Sequence, residues 1–412
     1  MYKKIFIFAL VFMYLYTLTF NIFMTSIIRI PAPLSFALPL IFFFKETKDN
    51  TFHYLRETFV VLISAIALFL FAQENIKIFF VVMIVSTCCA LYFNYFVGYN
   101  LQRFKQSVWI FYWLLVLSSI VMLLNHVYTA EIMILRSALV GEIVKQAPSG
   151  ITPWIFSFGY QIAALSTFAV VAACVYKKSF LLQALIFAIA IVLIFYGMNR
   201  SALVVFSIAV GFFWLLYYRL RTVFIFSVLM CLSLLFKSSI ADLSTGRKQN
   251  ILAKNEMNVN EHRSSLMVEN LKIIADYPFG VAFYGKTWHD VAKHNPAFKI
   301  GEEGFITSHN AYLMFITYLG VALGGLLLWL MFQKVALIFF NTIKHLRKPG
   351  NRLMVALCFS LAAVCLNSFF HNEWLLAASG PTLFLYFAVL QLTKIQQKEK
   401  ENETPPLVIL KK

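Results

Sequence analysis

Residues 179–218 read SFLLQALIFAIAIVLIFYGMNRSALVVFSIAVGFFWLLYY, with Arg200 as the one charged side chain in the stretch. Two apolar runs, 179–197 and 201–218, flank the short turn GMNR. Each run is long enough for a helix to cross a hydrocarbon layer of about 30 Å, which takes roughly 17–25 residues. Neither alternates apolar with polar residues as a half-buried strand would. A helix that is apolar on every side is buried in protein or immersed in lipid. Composition selects lipid: 61% of the 412 residues are hydrophobic, 13% are charged, and mean hydropathy is +0.77. No soluble core of that size absorbs so much apolar surface.

The same reading extended outward predicts an all-α polytopic membrane protein of about 12 transmembrane helices. The spans fall at 5–23, 27–44, 58–73, 77–96, 107–125, 152–176, 179–197, 201–218, 221–237, 309–333, 353–370 and 375–393. Pro31, Pro33 and Pro39 interrupt the second, which neighbouring helices can tolerate by satisfying the freed carbonyls. The organisation is then nine spans in 1–237, one large outer loop with short helices in 238–308, three spans in 309–393, and a tail in 394–412. The tail is charged and carries prolines, so it is expected to be disordered. Met1-Tyr2-Lys3-Lys4 before the first apolar run reads as a signal anchor that is retained.

The net charge of +17 raises the question of nucleic acid, and the distribution of the charge answers it. With the N-terminus in the cytoplasm, 21 of the 35 basic residues fall on the cytoplasmic side and eight in the long outer loop. Short loops obey a positive-inside rule from which long translocated loops are exempt. The charge is therefore a topology signal with membrane lipids as its partner, and no nucleic acid is implied. The expected orientation puts both termini in the cytoplasm and any outer site on the far face of the membrane. All six cysteines sit in apolar runs without metal-ligand or disulfide spacing.

Three outer positions carry candidate chemistry. Arg263 opens HRSSLMVENLKIIAD (262–276), where Met267, Leu271 and Ile274 form a stripe at i, i+4, i+7. A cation starting a buried stripe wants an anion; its plain use is a pair with Glu261 or Glu269. Arg200 marks the outer mouth of the eighth span, a place where interfacial anchors are also common. His309 and Asn310 stand where the loop enters the tenth span, with Thr307 or Ser308 expected to cap that helix. An imidazole with an ordinary pKa of about 6.5 can take a proton from a hydroxyl near neutrality. Two guanidiniums suit a diphosphate, because each donates paired hydrogen bonds to phosphate oxygens. A unit charge pair at about 4 Å is worth roughly 4 kcal/mol at an effective dielectric of about 20, so such a cradle favours departure of a diphosphate.

Arg136 and Lys145 in the outer segment 126–151, and Glu373 in the turn HNEW (371–374), are further substrate-binding candidates. His289, Asp290 and His294 lie in WHDVAKH, but i, i+5 is a poor helical spacing for shared ligation, and no metal site is expected.

These pieces occur in the order Asn199-Arg200-Ser201-Ala202, Arg263, Asp276-Tyr277-Pro278-Phe279-Gly280 with Gly285, His309-Asn310, then Gly320, Gly324 and Gly325. In that order and spacing the segment 195–330 resembles the O-antigen ligase and O-antigen polymerase superfamily. The interval Gly280 to Gly285 is wider than the Gly-x-Gly of that family. The resemblance implies a glycosyltransferase that moves a glycan en bloc from undecaprenyl diphosphate to a hydroxyl, inverting the anomeric carbon without cofactor or metal. It implies Arg200 and Arg263 on the diphosphate and His309 on the acceptor hydroxyl. The acceptor is lipid A-core for a ligase, which ranks first, or a second lipid-linked glycan for a polymerase. A transporter or flippase for the same lipid-linked glycan is the rival of another class. Its usual mid-membrane Asp or Glu is missing here, since Glu74, Glu131, Glu142 and Glu373 lie at or beyond span ends.

Overall fold

The computed structural model describes residues 2–23, 31–46, 51–72, 76–144, 146, 148–153, 155–219, 221, 263–300, 304–371 and 379–403. Among these residues all regular structure is helical apart from one two-residue antiparallel pairing, Lys299–Ile300 with Gly304–Phe305. The helices are α1 (Tyr2–Thr19), α2 (Ala32–Phe43), α3 (Leu55–Ala72), α4 (Ile76–Leu91), α5 (Leu101–Val127), α6 (Thr129–Val140) and α7 (Ile155–Val175). They continue with α8 (Phe180–Tyr196), α9 (Arg200–Tyr218), α10 (Arg263–Asp276), α11 (Trp288–Ala292), α12 (Ala311–Lys344), α13 (Arg352–Asn367) and α14 (Gly380–Glu403).

Among the described residues, seven helical stretches are long and apolar enough to cross a membrane: Tyr2–Thr19, Phe79–Val97, Leu101–Val127, Phe156–Val175, Arg200–Tyr218, Ala311–Lys344 and Pro349–Asn367. Ala32–Phe43 and Phe180–Tyr196 are apolar but shorter. The expected span 221–237 lies outside the described residues except for residue 221, and the start of 375–393 lies outside them too.

α13 is a central element. Every residue from Met354 to Leu361 is buried, so this helix is covered on all sides. It runs antiparallel to α7, with Ser360 Oγ donating to the Ala164 carbonyl at 2.9 Å and Tyr160 hydroxyl 3.1 Å from Ser368 Oγ. Tyr112 of α5 donates to Ser360 Oγ at 2.8 Å from the other side. Such ties satisfy polar groups where no water can. α14 is buried as fully from Thr382 to Leu392. Its start is pressed against the end of α1, where the Gly380 N–H donates to Asn21 Oδ1 at 2.7 Å.

α14 also corrects an expectation. The charged residues after 393 do not form a loose tail at once; the helix continues to Glu403. Gln, Lys and Glu are good helix formers, and the extension is held by cation–π contacts. Lys394 lies 4.2 Å from the Tyr54 ring centroid and Lys398 lies 3.9 Å from that of Tyr99. A buried carboxylate is found at the same end. Glu57, 5% exposed, pairs with Lys334 at 2.7 Å and so ties α3 to α12.

The segment 263–308 folds onto α12 around a small core of Leu266, Ile273, Val281, Val291, Ala292 and Phe298. The buried stripe of α10 is Leu266, Asn270 and Ile273, not the expected Met267, Leu271 and Ile274; Leu271 is 53% exposed. The all-apolar stripe loses because Asn270 has partners on α12. Thr317 Oγ1 donates to Asn270 Oδ1 at 2.7 Å, and Asn270 Nδ2 reaches the Met314 sulfur at 3.4 Å. Arg263 is the first residue of α10, three residues before Leu266.

α12 is broken at Gly320, whose φ of 83° and ψ of 166° are open only to glycine. The turn Tyr277-Pro278-Phe279-Gly280 fills the break. The Val321 N–H donates to the Pro278 carbonyl at 2.9 Å. A Cβ on Gly280 would lie 2.4 Å from the Tyr318 oxygen, and one on Gly320 would lie 2.3 Å from the Phe279 carbonyl carbon. Backbone meets backbone here, and neither side has room to give. Gly320→Ala should therefore lower stability by at least the roughly 1–3 kcal/mol of a forced glycine-only conformation, read as a drop in detergent melting temperature. Gly325→Ala, where a Cβ would meet nothing within 4 Å, should leave the melt unchanged or raised.

Candidate functional site

Several helix ends gather at one end of the bundle. α9 and α12 both begin there, and their starts are built alike. In each, an Asn caps the helix and a residue with positive φ precedes the cap. Asn199 accepts from the Ala202 N–H after Met198 with φ 51°; Asn310 accepts from the Tyr312 and Leu313 N–H groups, both at 3.1 Å, after His309 with φ 52°. The cap of α12 is thus Asn310 and not Thr307 or Ser308 as the sequence suggested. An amide side chain reaches two donors at once, and the left-handed turn at His309 aims it there. Ser308 is fully buried just before this turn.

Both starts are bound to the end of α13. Ser201 Oγ bonds to Asn367 Oδ1 at 2.7 Å and to His371 Nε2 at 2.9 Å, and it also touches Asn199 Oδ1. One hydroxyl proton serves one carbonyl oxygen at a time, so His371 Nε2 is positioned to donate to this oxygen. On the other side the Ala311 N–H donates to the Ser368 carbonyl at 2.9 Å. α7 closes the cluster: Asn199 packs on Gly159, and the His371 ring lies 5.9 Å from that of Tyr160.

α10 lies alongside the first segment of α12 and runs the same way. Gly280 meets Gly320, and Asn270 meets Met314 and Thr317. Seven residues back along α10, about 10 Å, the Arg263 backbone comes to the level where α12 begins. The three residues expected to carry chemistry therefore share one end of the bundle. Arg200 is the first residue of α9, Arg263 the first of α10, and His309 immediately precedes the cap of α12.

The opposite end collects basic residues. Arg352 stacks on Tyr176, and Arg347 donates to the Tyr217 carbonyl at 2.7 Å. Lys177, Lys178 and Arg219 lie at the same ends of α7 and α9.

Arg136 is fully buried. It donates through Nε to the Gly150 carbonyl at 2.8 Å, and through Nη1 to Asn125 Oδ1 at 3.0 Å and the Gln146 carbonyl at 2.8 Å. Burial lowers its pKa to about 10, which leaves it charged near neutrality. Its bonds fasten the segment 146–150 to α5. The other two substrate-binding candidates, Lys145 and Glu373, lie outside the described residues. Asp290 of the WHDVAKH stretch caps α11 with Thr287, and the Thr287 N–H holds its carboxyl below the usual range. Among the described residues no three His, Cys, Asp or Glu side chains gather as metal ligands.

Sequence reasoning placed Ser201 and His371 at outer turns but missed the bonds of Ser201 to His371 and to Asn367, and it missed Tyr160. The dipeptide His-Asn occurs at 294–295, 309–310 and 371–372, so it does not by itself mark this end. Arg136→Met should lower stability by roughly 2–4 kcal/mol, because charge-assisted bonds of about 1.5–3 kcal/mol each are lost and buried carbonyls are left bare. Thermal melts in detergent would show it; an unchanged melting temperature would contradict the role given to Arg136.

Comparison with curated proteins finds no match to the chain. Residues 185–330 match a family model described as O-Antigen ligase, and the matched segment includes Arg200, Arg263, Gly280, His309, Asn310 and Gly320. The helix starts and the glycine junction described above all fall within this segment, which makes up about a third of the chain and is similar to the O-antigen ligase family.

Proposed function

We propose that the protein is a membrane glycosyltransferase that moves a glycan en bloc from undecaprenyl diphosphate to an acceptor hydroxyl, with lipid A-core as the acceptor. The observation that carries this reading is the family match over 185–330 together with the placement of Arg200, Arg263 and His309 at one end of the bundle. The topology that goes with it is twelve spans in a bacterial inner membrane, with the nine spans of 1–237 and the three of 309–393 on either side of a periplasmic loop, 238–308. Both termini are then cytoplasmic, and the basic end of the bundle faces the cytosol.

The chemistry follows from charge. Helices α9 and α12 point their N-terminal ends at the mouth, and a helix N-terminus favours an anion. Arg200 and Arg263 add full positive charges beside them. A diphosphate held there is stabilised most as it leaves, when its charge is greatest. His309 accepts the proton of the acceptor hydroxyl as that oxygen attacks the anomeric carbon. The bond from the sugar to the diphosphate breaks, and the diphosphate departs with the electron pair. Attack opposite the leaving group inverts the centre. The step needs no cofactor and no metal ion. Asn310 holds the turn that presents His309, and Arg136 acts through the segment it fastens; Lys145 and Glu373 are further substrate-binding candidates.

His309→Ala should abolish transfer in a purified assay with lipid-linked glycan, detergent-dispersed acceptor and no ion gradient, while elution profile and melting temperature stay unchanged. Full turnover in that variant would remove the acid–base role. Arg263→Lys should reduce kcat at least about tenfold, since lysine keeps the charge but loses the planar fork. Deletion in the native host, followed by lipopolysaccharide electrophoresis, addresses the acceptor. Polymer stranded on the carrier lipid supports the ligase; a single repeat on the core marks a polymerase instead.

A further inference from the structure

A cavity of about 370 Å³ opens at the basic end of the bundle, between α5, α7 and the start of α13. We propose that it binds one anionic phospholipid, with an acyl chain against the aromatic walls and the phosphate between Lys105 and Arg352.

The walls follow from helical spacing. Lys105, Trp109 and Trp113 recur at i, i+4, i+8 and form one exposed line along α5. The tryptophans are 58% and 55% exposed, although their neighbours on α5 are buried. Phe168 and Tyr176 of α7 and Leu353 of α13 face them across the cavity. The floor is fixed: Tyr112 stacks on Phe168 with ring centroids 3.6 Å apart and is anchored to Ser360 at 2.8 Å. The volume lies within the roughly 300–1,000 Å³ of ordinary ligand pockets.

One end of this apolar cavity is cationic. Lys105 closes it on α5, and the Arg352 guanidinium lies 5.8 Å from the centroid of the Tyr176 ring. Among the described residues no Asp or Glu lines it. Neither Lys105 nor Arg352 forms an ion pair among the described residues. Lys177 and Lys178 follow Tyr176 directly. A lipid with a negative headgroup matches this order, apolar along the helices and anionic at the end, and basic pockets between helices at a membrane surface are known to hold such headgroups. The site is separate from the candidate catalytic mouth. Leu353 at the cavity and Asn367 at the mouth lie on one helix, 14 residues or about 21 Å apart.

The tryptophans supply the readout. The full-length protein would be placed in nanodiscs of phosphatidylcholine containing graded amounts of phosphatidylglycerol or phosphatidylcholine with brominated chains. Quenching by bromine at Trp109 and Trp113 is the part lost in a Trp109→Phe/Trp113→Phe protein. Brominated phosphatidylglycerol should quench that part at roughly fivefold or more lower mole fraction than brominated phosphatidylcholine. The preference should vanish in Lys105→Gln/Arg352→Gln and persist in Lys105→Arg. Equal quenching by the two lipids in the unaltered protein would overturn the proposal without reference to any variant, and would leave an ordinary lipid-facing aromatic band. Shielding of both tryptophans from either lipid, with dimers at the same protein density, would also overturn it by putting a second copy in the cavity. Glycan transfer enters neither measurement, so the outcome is independent of the proposed activity.

Discussion

The contact of Gly280 with Gly320 governs the arrangement of the end of the bundle where α9 and α12 begin. A membrane-spanning helix loses its hydrogen-bond continuity at Gly320, and the turn from the 263–308 segment restores it by offering the Pro278 carbonyl to the Val321 N–H. In a hydrocarbon setting a bare N–H costs several kcal/mol, so the break and the turn stabilise each other. Two main chains can approach this closely only where both lack a Cβ. Once the turn is seated, α10 has no freedom to swing. Asn270 is set against Thr317, and the start of α10 is brought to the start of α12.

That start is one of two of similar design. Asn199 and Asn310 each cap a helix after a residue with positive φ, and each helix is then bonded to the last residues of α13. Non-glycine residues adopt positive φ at some cost, and such positions persist where the surroundings hold them. Here the surroundings are a shared anchor. Asn367, Ser368 and His371 receive both helices, so the positive ends of two dipoles converge before any ligand arrives. Arg136 extends the same economy of backbone bonds to the neighbouring segment 146–150.

The two ends of the bundle differ in chemistry because α13 links them without sharing polar groups. Its middle is wholly buried, and its polar ties at Ser360 are local. One end holds amide caps, a hydroxyl hub and two imidazoles; the other holds guanidiniums and ammonium groups stacked on tyrosines. Lys and Arg at the ends of apolar helices can place their stems along aromatic faces and their charges at the headgroups. The two ends therefore present different groups, separated by about 21 Å of apolar helix.

The membrane class, the helical character and the sorting of basic residues were legible in the chain, because apolar run length and loop charge are local properties that a bilayer reads directly. So was the order of Arg200, Arg263 and His309. The facing of α10 was not legible. An uninterrupted apolar stripe at Met267, Leu271 and Ile274 lost to one containing Asn270, and only Thr317 on another helix makes that choice favourable. The helix at 394–403 was hidden for the same reason, since its aromatic partners Tyr54 and Tyr99 are some three hundred residues away. The cap of α12, the break at Gly320 and the recruitment of Ser201 and His371 were likewise decided by tertiary contacts. Periodicity reports how apolar a face is; which face turns inward depends on the partners that satisfy its polar groups, and those partners are assembled only by the fold.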